Sequence, residues 1–148
     1  MEYFNISKLC FDNNLYNYWN ENGYLVIEKF YTDEECDKLI NRSHFLIDNY
    51  NFSNSKSIFD TISQAHNDDN YFLESGDKIR FFFEEKAKIN TESIKTKKHY
   101  IINKIGHALH DLDEIFYDFS HKKELDNLAK FIGFKKPLLL QSMYIFKQ

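Results

Sequence analysis

At 148 residues the chain has the length of one ordinary domain, and 43% hydrophobic with 18% aromatic residues suffices for a core, which excludes a largely disordered polypeptide. The net charge of −4 speaks against a nucleic-acid binder, which presents a basic face. Cys10 and Cys36 form neither a CxxC pair nor a disulfide framework, and no run approaches the ~20 apolar residues of a membrane-spanning helix, so a cytoplasmic protein with reduced thiols is expected.

The chain opens Met1-Glu2-Tyr3-Phe4-Asn5, with an acid where a secretory leader carries a base. Leu9, Phe11, Leu15 and Trp19 can share one face of a helix over 7–20, which Asn22-Gly23 then stops. Tyr24 to Ile27 reads as a short strand. Thr32-Asp33-Glu34-Glu35 is a capping box: the Thr32 hydroxyl can accept from the backbone N–H three residues on, and the Glu35 carboxylate can reach back to the Thr32 N–H. Leu39, Ile40, Phe45 and Leu46 follow at near-helical spacing, which predicts a helix over 33–49.

The polar stretch 51–70 reads mostly as loop, with a short element near Ile58. Ser75-Gly76-Asp77 is a turn, and Lys78 to Glu84 reads as a strand. The successive Phe81, Phe82 and Phe83 place bulk on both of its faces, so cover on both sides is expected. The charged stretch 85–98 reads as a solvated hairpin or loop. A helical region is expected from Asn103 to Leu112, with another turn or two over 113–120. A further helix over 121–131 starts at His121 and is closed by Gly133. Leu138 to Phe146 reads as a buried strand. An apolar strand running almost to Gln148 with no turn or polar tail reads as an interrupted fold, with an open sheet edge through which the chain could associate.

Few residues point to chemistry by spacing alone. His66-Asn67-Asp68 matches a His-x-Asp metal pattern, but three-residue matches are common by chance and no third ligand is evident. His107 and His110 stand three apart on the expected helix, a spacing that could serve zinc, yet no general-base motif accompanies them. Asp111, Asp113 and Glu114 read as a solvated acidic face at a helix start. Arg80, one of two arginines with Arg42, is expected to brace the Phe81–Phe83 strand by pairing with Glu84 or another acid. No GxSxG elbow, phosphate loop or dinucleotide turn is present.

Four blocks, in order, are similar to one known family. They are Gly23 to Phe30 with Asp33 to Cys36, Tyr71 to Glu85 (YFLESGDKIRFFFEE), Ile102 to His110 (INKIGHALH), and Gln141 to Gln148 (QSMYIFKQ). The chain resembles the phytanoyl-CoA dioxygenase family, within it the subgroup of phytanoyl-CoA dioxygenase domain-containing protein 1, over nearly its whole length. The resemblance implies an α+β fold: N-terminal helices and the first strands of a double-stranded β-helix (jelly-roll or cupin-like), with the core incomplete. It implies an oxygenase using Fe(II) and 2-oxoglutarate on a small-molecule substrate. The family's iron ligands, a His-x-Asp pair and a distant His, come after the segment matching Met143 to Gln148. No iron is therefore expected on this chain, and catalysis is expected only in a longer protein.

Two positions carry over from the family to the 2-oxoglutarate pocket, Lys104 and Met143. An ammonium offers a dianion a charge-assisted hydrogen bond, and a thioether offers a polarizable apolar wall. Without the family, Lys104 reads as a surface lysine and Met143 as core. The competing functional reading is a binding or scaffold protein that keeps the fold without the catalysis.

Overall fold

The computed structural model describes residues 1–52, 58–59, 70–84 and 98–146; for 58–59 it describes the backbone alone. Among these residues the architecture is a mixed α/β arrangement, a four-stranded sheet with several helices packed on one face, a one-turn helix on the other, and a separate small two-stranded sheet.

The N-terminal residues do not make the single helix over 7–20 that spacing suggests. Tyr3–Asn5 form strand β1, a 3-10 turn covers Ile6–Lys8, and helix α1 runs Asn13–Asn22. Asp12 is the reason for the late start: its carboxylate accepts from the Leu15 N–H and caps α1 there. Only Leu15 of the expected apolar face is buried, whereas Phe11 lies before the helix against the ring of Phe131. Gly23 ends α1 at φ +74, the left-handed conformation that suits glycine. Strand β2, Val26–Glu28, then pairs in parallel with β1.

Helix α2 occupies Asp33–Asn49, and the capping box at its start is complete, with Glu35 N–H to Thr32 Oγ1 at 3.2 Å and Thr32 N–H to Glu35 Oε2 at 2.8 Å. Replacing Thr32 by Ala is expected to lower stability by about 1 kcal/mol, read as a shift in urea midpoint at unchanged slope. The buried face is Leu39, Ser43, Leu46, Ile47 and Tyr50, spaced i, i+4, i+7, i+8, i+11. Ile40 and Phe45, expected on that face, point outward, and Arg42 sits over the Phe45 ring.

The larger sheet has the order β3-β4-β5-β6, with β3 Ile58–Phe59, β4 Ile79–Glu84, β5 Ile102–His107 and β6 Ser142–Ile145. β3 runs parallel to β4, and the other neighbours are antiparallel. A one-turn helix α3, Asn70–Leu73, precedes the turn into β4. The Phe81–Phe83 strand is covered on both faces as expected: the three rings are 5%, 0% and 0% exposed. Phe81 and Phe83 join Ile47, Phe52, Ile101, Ile102, Ile105, Leu109 and Phe116 in the core under the helices. Phe82 points to the opposite face, where its ring meets Tyr71 and Phe72.

The expectation of a helix from Asn103 is overturned: 102–107 is β5, the strand that pairs with both β4 and β6. Ile102 and Ile105 made the segment resemble a helix face, but a strand buried on both faces has no clean period of two, so pattern alone does not separate the two forms. Only Leu109–Leu112 is helical there, as α4. Helix α5, Glu114–Ser120, is capped by Asp113, and helix α6 occupies Lys123–Phe131. His121 does not start α6; it caps the end of α5 by its backbone N–H and stacks on the Tyr117 ring. The buried strand expected over 138–146 shrinks to Ser142–Ile145, and Leu138 and Leu140 are 79% and 85% exposed. Tyr144 and Phe146 turn to the helix side and pack on the core, leaving Met143 and Ile145 half exposed on the other face.

Candidate functional site

Lys104 sits opposite Phe82 in the β4–β5 register, on the sheet face away from the helices. Its side chain is buried, 5% exposed, so the surface-lysine reading fails. The ammonium lies 5.3 Å from the centroid of the Phe72 ring and 5.1 Å from that of Phe82, a distance at which the ring quadrupoles attract a cation. Burial lowers its pKa from the usual lysine range to about 8.

Met143 comes to the same place from the neighbouring strand. The Lys104 ammonium donates to Met143 Sδ at 3.8 Å. The register makes this possible: Gly106 faces Met143, and Lys104 faces Ile145. A Cβ on Gly106 would stand 3.2 Å from Met143 Cγ, so glycine at this position leaves room for the thioether. Gly106→Ala is expected to push Met143 away from Lys104 while lowering stability by less than about 1 kcal/mol, because a half-exposed methionine can shift. A change in the Met143 methyl resonance with a nearly unchanged urea midpoint would check this.

His107 completes the cluster. Its ring packs edge-on against Phe72 and tilted against Phe82, and its Nδ1 is 2.6 Å from the Ser75 hydroxyl. Burial first, and then the Lys104 charge, hold its pKa below the usual histidine value. Among the described residues, the Lys104 cation at neutral pH thus stands beside a neutral imidazole. Such a place can hold an anion through the ammonium and its apolar carbon chain against phenyl and thioether walls. A groove of about 770 Å³ opens elsewhere, lined among others by Tyr117, His121, Phe134 and Leu138, and touches neither Lys104 nor Met143.

The remaining candidates separate. His107 and His110 do not share a helix face, since His107 ends β5 and His110 lies in α4 with its Nδ1 2.8 Å from Ser142 Oγ. Asp113 is not part of a solvated acidic face: it is 2% exposed and bonded to Arg42. Arg80 braces its strand as expected, but by Glu74 at 3.7 Å, the Tyr71 ring and the Tyr71 carbonyl; Glu84 instead accepts from Asn103. His66-Asn67-Asp68 lies outside the described residues. Cys10 and Cys36 are free and exposed. No group of three or more His, Cys, Asp or Glu among the described residues could hold a metal ion.

The phytanoyl-CoA dioxygenase (PhyH) family model matches residues 19–148. The chain belongs to the phytanoyl-CoA dioxygenase family. It is 46% identical over 131 residues to a phytanoyl-CoA dioxygenase of Arabidopsis thaliana, 88% of this chain and 46% of that protein. It is 38% identical over 132 residues to the phytanoyl-CoA dioxygenase domain-containing protein 1 homolog of Caenorhabditis elegans, and 38% identical over 135 residues to the domain-containing protein 1 of Bos taurus, again 88% of this chain and 46% of each relative. The chain thus spans about half the length of the curated relatives it matches. For a phytanoyl-CoA dioxygenase family member, the buried Lys104 and its Met143 partner are the two residues that the sequence singled out and the fold brings together. Ser75, Phe72 and His107 were missed as their surroundings. Phe72 and Ser75 lie in the block Tyr71 to Glu85 and His107 in the lysine-bearing block Ile102 to His110, but nothing in a sequence pairs Ser75 with a histidine 32 residues away.

Proposed function

We propose that the chain supplies part of the 2-oxoglutarate pocket of an Fe(II)- and 2-oxoglutarate-dependent dioxygenase that hydroxylates a small-molecule substrate. The observation that carries this reading is the buried Lys104 ammonium in contact with Met143 in a chain of this family. A buried ammonium beside aromatic and thioether walls can give an organic anion a charge-assisted hydrogen bond. Lys104 would bind one carboxylate of 2-oxoglutarate, and Met143, Phe72 and Phe82 would line its carbon chain and keep water off. Iron supplies the oxygen chemistry when bound, and the described residues are not assigned to hold it. In this reading the sheet belongs to a double-stranded β-helix, and the face carrying Met143 and Ile145 is covered by the rest of the protein.

The 148-residue chain by itself is expected to release no succinate from 2-oxoglutarate. In a polypeptide of the relatives' length, Lys104→Ala is expected to weaken 2-oxoglutarate binding by about 10-fold or more, since losing one charged hydrogen bond removes roughly 1.5–3 kcal/mol. Calorimetric affinities equal in the two proteins would remove Lys104 from the site. A His-x-Asp pair encoded soon after Gln148 favours the enzyme over a scaffold that has lost catalysis.

A further inference from the structure

Ser75 and His107 form a buried hydrogen-bonded pair that the family reading of the Lys104 pocket does not use. They are 1% and 5% exposed, and they join the turn before β4 to the end of β5. The proton positions follow from valence. The Ser75 hydroxyl lies 2.5 Å from the Phe72 carbonyl oxygen, which can only accept, so its single proton goes there. Ser75 Oγ must then accept from His107, which fixes the Nδ1–H tautomer. The carbonyl held in this way belongs to Phe72, whose ring is one of the two under the Lys104 ammonium, and the His107 ring packs on both of those rings.

We propose that Ser75 and His107 are positioning residues for Lys104: the hydrogen bond between them pins Phe72 and the imidazole against Phe82, and these rings fix the seat of the ammonium. The pair acts on Lys104 through packing and not through charge. His107 is neutral in the range where Lys104 titrates, and desolvation is the cause of the lowered lysine pKa. The inference rests on the reading of Lys104 as an anion-binding group, because only then does its placement matter for binding.

The test uses the chain as it is and needs no ligand. Labelled Lys104 Cε is titrated by NMR in the unmodified chain, in Ser75→Ala, in His107→Phe, and in the double variant. The unmodified chain is expected to titrate near pH 8. Each single variant loses one end of the bond, lets water reach the ammonium, and is expected to raise that midpoint by about half a pH unit or more. The double variant should move it little further than the larger single change, since the two residues act as one unit. The imidazole nitrogen shifts of the unmodified chain should show a protonated Nδ1 and an unprotonated Nε2. Unmoved midpoints in folded variants, independent additive shifts, or the opposite tautomer would each overturn the proposal. If the midpoints move as expected while 2-oxoglutarate fails to bind the longer protein, the positioning stands and the ligand assignment falls.

Discussion

Replacing Lys104 by methionine should make the folded chain more stable at pH 7, by on the order of 3 kcal/mol. The sign follows from the direction of the shift. The folded pKa, about 8, lies below the unfolded lysine value of 10.5, so between these two pH values the unfolded chain binds more protons. Stability therefore rises with pH through this window, and below pH 8 the penalty for burying the charge is fully present. Methionine has nearly the same length, carries no charge, and meets the Phe72 and Phe82 rings as well as the aliphatic stem does. The gain should shrink to about 1 kcal/mol at pH 10, where the lysine of the folded state is mostly neutral. Urea denaturation of the two proteins at pH 7 and pH 10 measures both numbers. An unchanged or lowered stability at pH 7 would mean that the ammonium is solvated in the folded chain, and the pocket would lose its basis.

The second large effect is expected at Asp113. Its carboxylate accepts from Arg42 Nε at 2.7 Å through one oxygen and from the backbone N–H groups of Ile115 and Phe116 through the other. It thus caps α5 and ties it to α2 across 71 residues of sequence. Asp113→Ala removes the cap and leaves the Arg42 head group and two backbone N–H groups without this acceptor. A loss of about 3 kcal/mol is expected, from the sum of a cap and a broken ion pair whose carboxylate is buried. Asp113→Asn keeps an oxygen for the backbone groups but not the charge, and should lose about half as much. Urea midpoints of the two variants give the comparison. A loss below about 0.5 kcal/mol for the alanine variant would show that the pair is no more than a surface contact.

Asp113 illustrates what local reading misses. Three acids in a row of four residues look like a solvated helix start, and nothing nearby in sequence shows that Arg42 arrives from another helix. The same holds for β5. Its residues are covered on one face by α2 and α5 and flanked by β4 and β6, so strand pairing with segments before and after it overrides a pattern that also suits a helix.

What the sequence determined by itself was local chemistry. The Thr32–Glu35 capping box, the left-handed Gly23, the Asp33–Asn49 helix and the bulky Ile79–Glu84 strand depend on hydrogen bonds and sterics within a few residues, and each stands where the residues put it. The family, and with it the choice of Lys104 and Met143, also came from contiguous blocks. Only the tertiary structure decided that these two side chains meet 3.8 Å apart, that the lysine is buried, and that Ser75 and His107 frame it. The reason is that burial and partners come from strand register: the β4–β5 and β5–β6 pairings carry Phe82, Lys104 and Met143 to one face of the sheet, and desolvation of the ammonium is a property of that face and not of any short segment.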